Sequence, residues 1–222
     1  MSKRERPIFI SDISEKGQVN GLVEEIPIKF DSVTGQNITR KQINIRSIHD
    51  AAKVRGYAPI LEISTSSEDP LGKGLSAFVL TTDIHGIGQR PVECAYQGSK
   101  VYKGGKSFPE FYSTTPIHIK SRLKEIDTGP LEGYRFNGMV FPMTPKSVFY
   151  DWLYINAILP RRQQLEAEFN KYAGFSDIAF GASSVACQAR SCALFLSLIK
   201  LGLLDDAVKT HDAFIETIGR YF

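Results

Sequence analysis

The chain has 222 residues, is 42% hydrophobic and 23% charged, and carries a formal net charge of +3. That length supports one sizeable domain with its own core, and there is no internal repeat, low-complexity tract or convincing linker. No apolar run reaches the ~20 residues of a membrane-spanning helix, residues 1–6 are polar and charged rather than leader-like, and +3 is too weak to indicate a nucleic-acid partner by itself.

In chain order, Pro7–Ile10 and Ile26–Phe30 read as short strands, with a polar, turn-rich segment Ser11–Gly21 between them. Asp31–Asn37 is a loop. Thr39–Arg55 carries Ile43, Ile45, Ile48, Ala51 and Val54 as a helical stripe. Ile60–Ser64 is a brief strand, and Ser64–Gly74 a loop rich in Ser, Asp, Pro and Gly. Leu75–Leu80 reads as a strand or extended core segment, and Thr81–Arg90 as another loop. Pro91–Lys106 reads as one short helix, with Pro91 in its first turn and Gly104-Gly105 ending it.

Pro109–Tyr112 reads as one helical turn. Thr115 and Pro116 form a good helix entry, as N-cap and first helical residue, for Thr115–Lys124. In Leu131–Met143, Asn137-Gly138 between two apolar runs is a type I′ hairpin signal. The last third is helical. Thr144-Pro145 is expected to cap Lys146–Leu159, Pro160 to start Arg161–Tyr172, and Ser183 or Ser184 to start a helix to about Lys200. In that helix Cys187, Ser191, Leu194, Leu198 and Leu201 make a core stripe beside Phe195. Leu204–Tyr221 follows as a final helix. The expected fold is helix-rich α+β: a single domain over 1–222 with a small hairpin or sheet, the strands and loops of 1–38 packing on it.

The chemistry-bearing residues fall in three groups. On the Pro91–Lys106 helix, Glu93, Gln97 and Lys100 stand at i, i+4 and i+7, so a carboxylate, an amide and an amine share one face. This is either a solvated surface or one wall of a site. The second group is Phe149–Tyr154. There Asp151 lies between Tyr150 and Trp152, the chain's only tryptophan. Aromatic faces beside a carboxylate suit a base or sugar ring, and they equally suit a core helix. The third is Phe175–Phe180, where Asp177 is a turn residue or a ligand for a sugar hydroxyl. Arg190 beyond it either binds phosphate or pairs with an acid.

Between Cys94 and Lys124 the basic residues Lys100, Lys103, Lys106, Lys120, Arg122 and Lys124 face one acid, Glu110. Such a local field suits a phosphate-bearing partner. Cys94, Cys187 and Cys192 are odd in number and not closely paired, and Cys94 and Cys187 look like buried thiols. A reducing cytoplasm is the expected setting. No Cys/His pair among His49, His85, His118 and His211 has ligand spacing, so no metal and no cofactor are expected. A P-loop, a dinucleotide-binding glycine motif and a nucleophile elbow are absent.

Leu75-Ser-Ala-Phe78, Val92–Lys100, Phe149–Tyr154 and Phe175-Ser-Asp177, in this order, resemble the NADAR (YbiA-like) superfamily. More closely they resemble the branch encoded beside DarT-type ADP-ribosyltransferase toxins. The resemblance covers nearly all of residues 40–205. The sequence departs from the branch at Ala186, where an Asn is expected, and at Ala179-Phe180-Gly181, where a more polar run is expected. The resemblance implies an antitoxin that removes ADP-ribose from guanine in DNA by cleaving an N-glycosidic bond. It implies Glu93 and Lys100 as catalytic residues, with Ser76, Phe78, Gln97, Tyr150, Asp151, Trp152, Asp177 and Arg190 against the substrate. Trp152 or Phe78 would stack on a ring and wall the sugar site. Two alternatives stand beside it: an N-glycosidase for a small nucleotide or riboflavin-pathway intermediate, and a non-catalytic module that holds ADP-ribose or the toxin.

Overall fold

A computed structural model describes residues 2–11, 22–35, 37–181 and 186–221. Most of Ser11–Gly21, together with Ser183 and Ser184, lies outside the described residues. The chain opens with two long antiparallel strands, β1 (Ser2–Ser11) and β2 (Val23–Ser32). Helix α1 (Ile38–Val54) follows; its entry is capped by Asn37, whose side chain accepts from Arg40 N. Then come β3 (Ile60–Glu62) and the short α2 (Pro70–Gly74), capped by Asp69. The second half of the expected loop Ser64–Gly74 is therefore helical, because Asp69-Pro70 supplies both a cap and a preset φ.

Thr81–Arg90 is not a loop but a hairpin, β4 (Thr81–Ile84) and β5 (Gly88–Pro91). Its turn uses Gly86 and Gly88 at φ 76° and 87°. Next are α3 (Val92–Gly98), β6 (Lys100–Tyr102), β7 (Lys106–Ser107) and α4 (Pro116–Arg122). Thr115 caps α4 as its sequence requires, accepting from His118 N. The Asn137-Gly138 hairpin joins β8 (Leu131–Phe136) to β9 (Met139–Phe141), with φ of 47° and 82° at the two turn residues.

Helix α5 (Val148–Ile158) begins after Ser147, not at the expected Thr144-Pro145 cap. α6 (Arg162–Phe169), β10 (Gly174–Ser176) and α7 (Gln188–Lys200) follow. The expected last helix is two: α8 (Leu204–Ala207) and α9 (His211–Gly219), the second capped by Thr210.

The result is an α+β domain. One sheet runs β2-β1-β10-β3, with β10 and β3 parallel and the other pairs antiparallel. A second runs β7-β6-β8-β9. Helix α5 is buried on nearly every side, as an apolar-all-round helix must be, and it packs on α7. Leu153, Tyr154, Leu194 and Leu198 join Phe9, Phe175 and Phe149 in the main core. A smaller cluster, Cys94, Tyr102, Phe108, Phe111 and Ile119, fastens α3 to α4. In the N-terminal sheet, the parallel strands β3 and β10 end side by side at Glu62 and Ser176. Crevices beyond the carboxyl ends of parallel strands are recurrent ligand sites.

Candidate active site

Helix α3 has no side-chain cap. Its first N–H groups are satisfied across a gap instead: Val92 N donates to Leu80 O at 2.9 Å and Glu93 N to Ala77 O at 3.0 Å. Residues 75–80 are therefore a turn, not the expected strand, because Ser76 O already accepts from Val79 N and Leu80 N at 2.8 and 2.7 Å. The turn is pinned from behind. Tyr154 Oη donates to Leu75 O at 2.6 Å, and Ala77 N donates to Gln188 Oε1 at 2.7 Å. Ser76 and Phe78 thus come to rest against the start of α3, beside Glu93. Ser76 is buried. Phe78 is half-buried, and among the described residues it has no ring partner and belongs to none of the hydrophobic clusters.

Gln97 Nε2 donates to Glu93 Oε1 at 2.9 Å, fixing the carboxylate from one turn along the helix. Gln97 Oε1 is buried with no hydrogen-bond partner among the described residues. An unmet acceptor of this kind costs on the order of 1–3 kcal/mol, and such groups concentrate where a ligand completes the bonding. The helix does not reach Lys100. It ends at Gly98, where Ser99 Oγ bonds back to Ala95 O at 2.7 Å, and Val101 and Tyr102 pair with β8. Lys100 is therefore the first residue of a strand rather than the third member of a helical stripe.

The turn nevertheless brings it back: Lys100 Nζ lies 4.7 Å from the centre of the Tyr96 ring. Lys100 Nζ makes no hydrogen bond or ion pair among the described residues. Burial pushes the Glu93 carboxyl up, against the opposing pulls of Gln97, Lys100 and Lys120. Burial likewise pushes the Lys100 amine down, opposed by Glu93. Both groups move toward their neutral forms, as desolvation without a close ion pair requires.

The wall between them is aromatic. Tyr96 meets Tyr150 edge-on at 5.0 Å and hydrogen-bonds Tyr134 at 3.2 Å. Tyr150 is buried, and after burial the charges that most raise its phenol are Glu93 and then Asp177. Tyr150 therefore feels the charge of two carboxylates on different elements.

Asp177 follows β10. Its Oδ1 accepts from Ala179 N at 2.9 Å. Beside it a buried network closes on Glu62. Ser176 Oγ donates to Glu62 Oε2 at 2.5 Å, Ile178 N donates to Glu62 Oε1 at 2.9 Å, and His49 Nε2 is 3.0 Å from Ser176 Oγ. Burial first, and then the charge on Glu62, push Asp177 up to about 7. Burial pushes His49 down to about 4.

Between its unfolded pKa of ~3.9 and about 7, the folded protein holds a proton on Asp177 that the unfolded chain has lost. Stability from that proton is full below pH ~4 and disappears as pH rises to neutrality. His49 acts oppositely below pH ~6.5. Asp177→Asn keeps the acceptor for Ala179 and removes the charge. Its effect in urea unfolding should be negligible near pH 4 and should reach a gain on the order of 2–4 kcal/mol at pH 8. A pH-independent difference would show that Asp177 is not held in this way.

The family model of DarT1-associated NADAR antitoxins matches the chain over residues 4–221. The chain belongs to that family. A search of curated proteins found no match. The protein is accordingly an antitoxin of the kind that pairs with a DarT toxin. Among the described residues, no helix of the antitoxin is long and apolar enough to cross a membrane.

Three of the residues expected against the substrate, Asp151, Arg190 and Trp152, are engaged elsewhere in the antitoxin. Asp151 is fully buried, and its oxygens are occupied. Oδ2 accepts from Ser147 Oγ and from Arg190 Nη1, both at 2.7 Å, and Oδ1 accepts from Ser191 Oγ at 2.7 Å. Asp151 and Arg190 thus tie α5 to α7, and Ser147 faces Asp151 instead of capping its own helix. Trp152 packs on Phe136 and Phe141 of the hairpin, with ring centres 6.1 and 5.0 Å away. It does not wall the Glu93 side of α5; Tyr96 and Tyr150 do. Trp152 Nε1 is buried without a partner.

Glu62, Ser176, His49, Gln188 and Tyr96 were not singled out by sequence as site residues. The one available signal was Glu62, a lone acid inside the apolar run Ile60–Ile63.

Proposed function

We propose that this antitoxin is an N-glycosidase that removes ADP-ribose from guanine in DNA and so reverses the modification made by its toxin. The observation that carries the reading is the Glu93–Lys100 pair. An acid and an amine, both desolvated and not ion-paired to each other, come from the start of α3 and from just past its end, with the amine over the Tyr96 ring and the acid's backbone N–H bonded to the turn that carries Phe78, an aromatic side chain with no ring partner among the described residues. Two charges held this way cost folding free energy, and functional sites are where such costs are found.

In this reading C1′ of the ribose sits between Phe78 and Tyr96, near Glu93. As the C1′–N bond breaks, its electron pair leaves with the base nitrogen, which takes a proton from Lys100; its lowered pKa makes it a better acid than an ordinary lysine. Positive charge grows on the sugar, and the Glu93 carboxylate stabilises it. Glu93 then removes a proton from the water whose oxygen bonds to C1′. Gln97 turns its unmet carbonyl oxygen to a ribose hydroxyl. Asp177, beyond Tyr150, contacts the distal part of the substrate.

Incubation of excess antitoxin with an oligonucleotide ADP-ribosylated on guanine tests the reading. Mass spectrometry should show intact guanine DNA and free ADP-ribose in equal amounts. Adduct that persists, or DNA that has lost the base, counts against it.

The same desolvated amine supports a second route, in which Lys100 attacks C1′ and holds the opened sugar as a Schiff base before water releases it. Borohydride added during turnover separates the two. The direct route leaves the protein unmodified, whereas the covalent one leaves a reduced sugar on Lys100.

A further inference from the structure

Helix α4 turns two faces to its surroundings. Pro116 and Ile119 face inward, where Ile119 packs with Cys94, Tyr102, Phe108 and Phe111. Ile117 and Lys120 stand at i and i+3 and share the outer face, and Lys124 follows in the turn just past the end of α4. Ile117 is 76% exposed. No packing in the fold accounts for an isoleucine there. Lys120 and Lys124 are exposed and hold no ion pair among the described residues, while Arg122 is engaged by Glu125 at 3.4 Å. The face is continuous with the candidate site, since α4 packs on α3 and the charge of Lys120 reaches Glu93.

We infer that the outer face of α4 and the turn that follows it seat the DNA strand flanking the modified guanine, with Ile117 against the base step beside it and Lys120 and Lys124 on its phosphates. This rests on the DNA reading proposed above and names the surface that selects DNA over a free nucleotide. A modified guanine can reach Glu93 only by leaving the base stack. An extruded base exposes the faces of its neighbours, and an apolar side chain inserted at that step covers them, as in proteins that unstack DNA with isoleucine, leucine or phenylalanine wedges. Exposed lysines at and just beyond the end of the helix, Lys120 and Lys124, without ion-pair partners among the described residues, suit a polyanion. A protein partner would favour aromatic or arginine anchors, which this face lacks.

The variants Ile117→Ser and Lys124→Gln, with folding confirmed by thermal melts, test the inference on two substrates: a guanine-ADP-ribosylated oligonucleotide and the corresponding ADP-ribosylated nucleoside. On the oligonucleotide each should lower kcat/KM by about tenfold or more. Lys124→Gln should also reduce the slope of log affinity against log salt by about one. On the nucleoside both should work at the wild-type rate. Equal losses on both substrates would mean that α4 only supports the fold, and no loss on either would place the DNA elsewhere.

Fluorescence anisotropy of the unreacted oligonucleotide keeps this test separate from the chemistry. If wild type binds the oligonucleotide, weaker binding by the two variants supports the surface even where no ADP-ribose is released. Unchanged binding overturns it, as does transfer of the variants' defect from DNA to the toxin.

Discussion

Glu93→Gln is expected to abolish the antitoxin's protection of cells that express the toxin, and to lower the rate of ADP-ribose release by about 10²–10⁴-fold, with the fold intact. The substitution is close to isosteric. Gln97 Nε2 now donates to Glu93 at 2.9 Å, and a glutamine oxygen can take the same bond. Removing a desolvated charge that burial already disfavours should leave stability unchanged or slightly raised. What disappears is the negative charge proposed to stand opposite the sugar and the proposed base that takes the proton from water. A module that merely holds ADP-ribose or the toxin would go on protecting cells, so retained protection would convert the proposed enzyme into a binder. A rate within a few-fold of wild type would remove Glu93 from the chemistry.

Asp151→Ala should produce the largest loss of stability. Asp151 is buried, and three donors converge on it from Ser147, Arg190 and Ser191. The second acid near Arg190, Glu25, is half-exposed and 3.9 Å from it. Removing one member of a buried ion pair costs about 3–5 kcal/mol, because the remaining charge stays in a poorly solvated place. Two hydroxyls lose their acceptor at the same time. The midpoint of urea unfolding should fall accordingly, and Asp151→Asn should fall less, since it keeps an acceptor for Ser191. If Asp151→Ala unfolds like wild type but loses substrate affinity, Asp151 belongs to the substrate after all.

What could be read from sequence divides along the range of the interactions. Helix α1, the Thr115 cap and the Asn137-Gly138 turn rest on signals a few residues long, and each was legible. So was the Glu93–Gln97 contact, a plain i,i+4 pair. Lys100 was brought near Glu93 for the wrong reason: the helical stripe was extended past Gly98, whereas strand pairing with β8 decides where the lysine goes. The hairpin Thr81–Pro91 was hidden because its strands are only four residues long and carry Asp83, Gly88, Gln89, Arg90 and Pro91, residue types depleted in or uninformative for strands.

Asp151 could not be told from a substrate ligand. Its partners Arg190 and Ser191 lie some forty residues away, and only the packing of α5 on α7 brings them together. Trp152 drew attention as the single tryptophan, yet in helix α5 it points to the hairpin while its neighbour Tyr150 faces the carboxylates. The Glu62–Ser176–His49 network needs two parallel strands and a helix to meet, which no local pattern announces.

The Glu93 carboxylate and the Lys100 amine are together proposed to break the glycosidic bond. Single-turnover release of ADP-ribose from a guanine-modified oligonucleotide, with antitoxin in excess, measures this directly for wild type, Glu93→Gln and Lys100→Met. The expected result is complete release by wild type and little or none by either variant at equal substrate binding. Wild type that binds the oligonucleotide and leaves it modified would contradict the account, as would variants that release ADP-ribose at the wild-type rate.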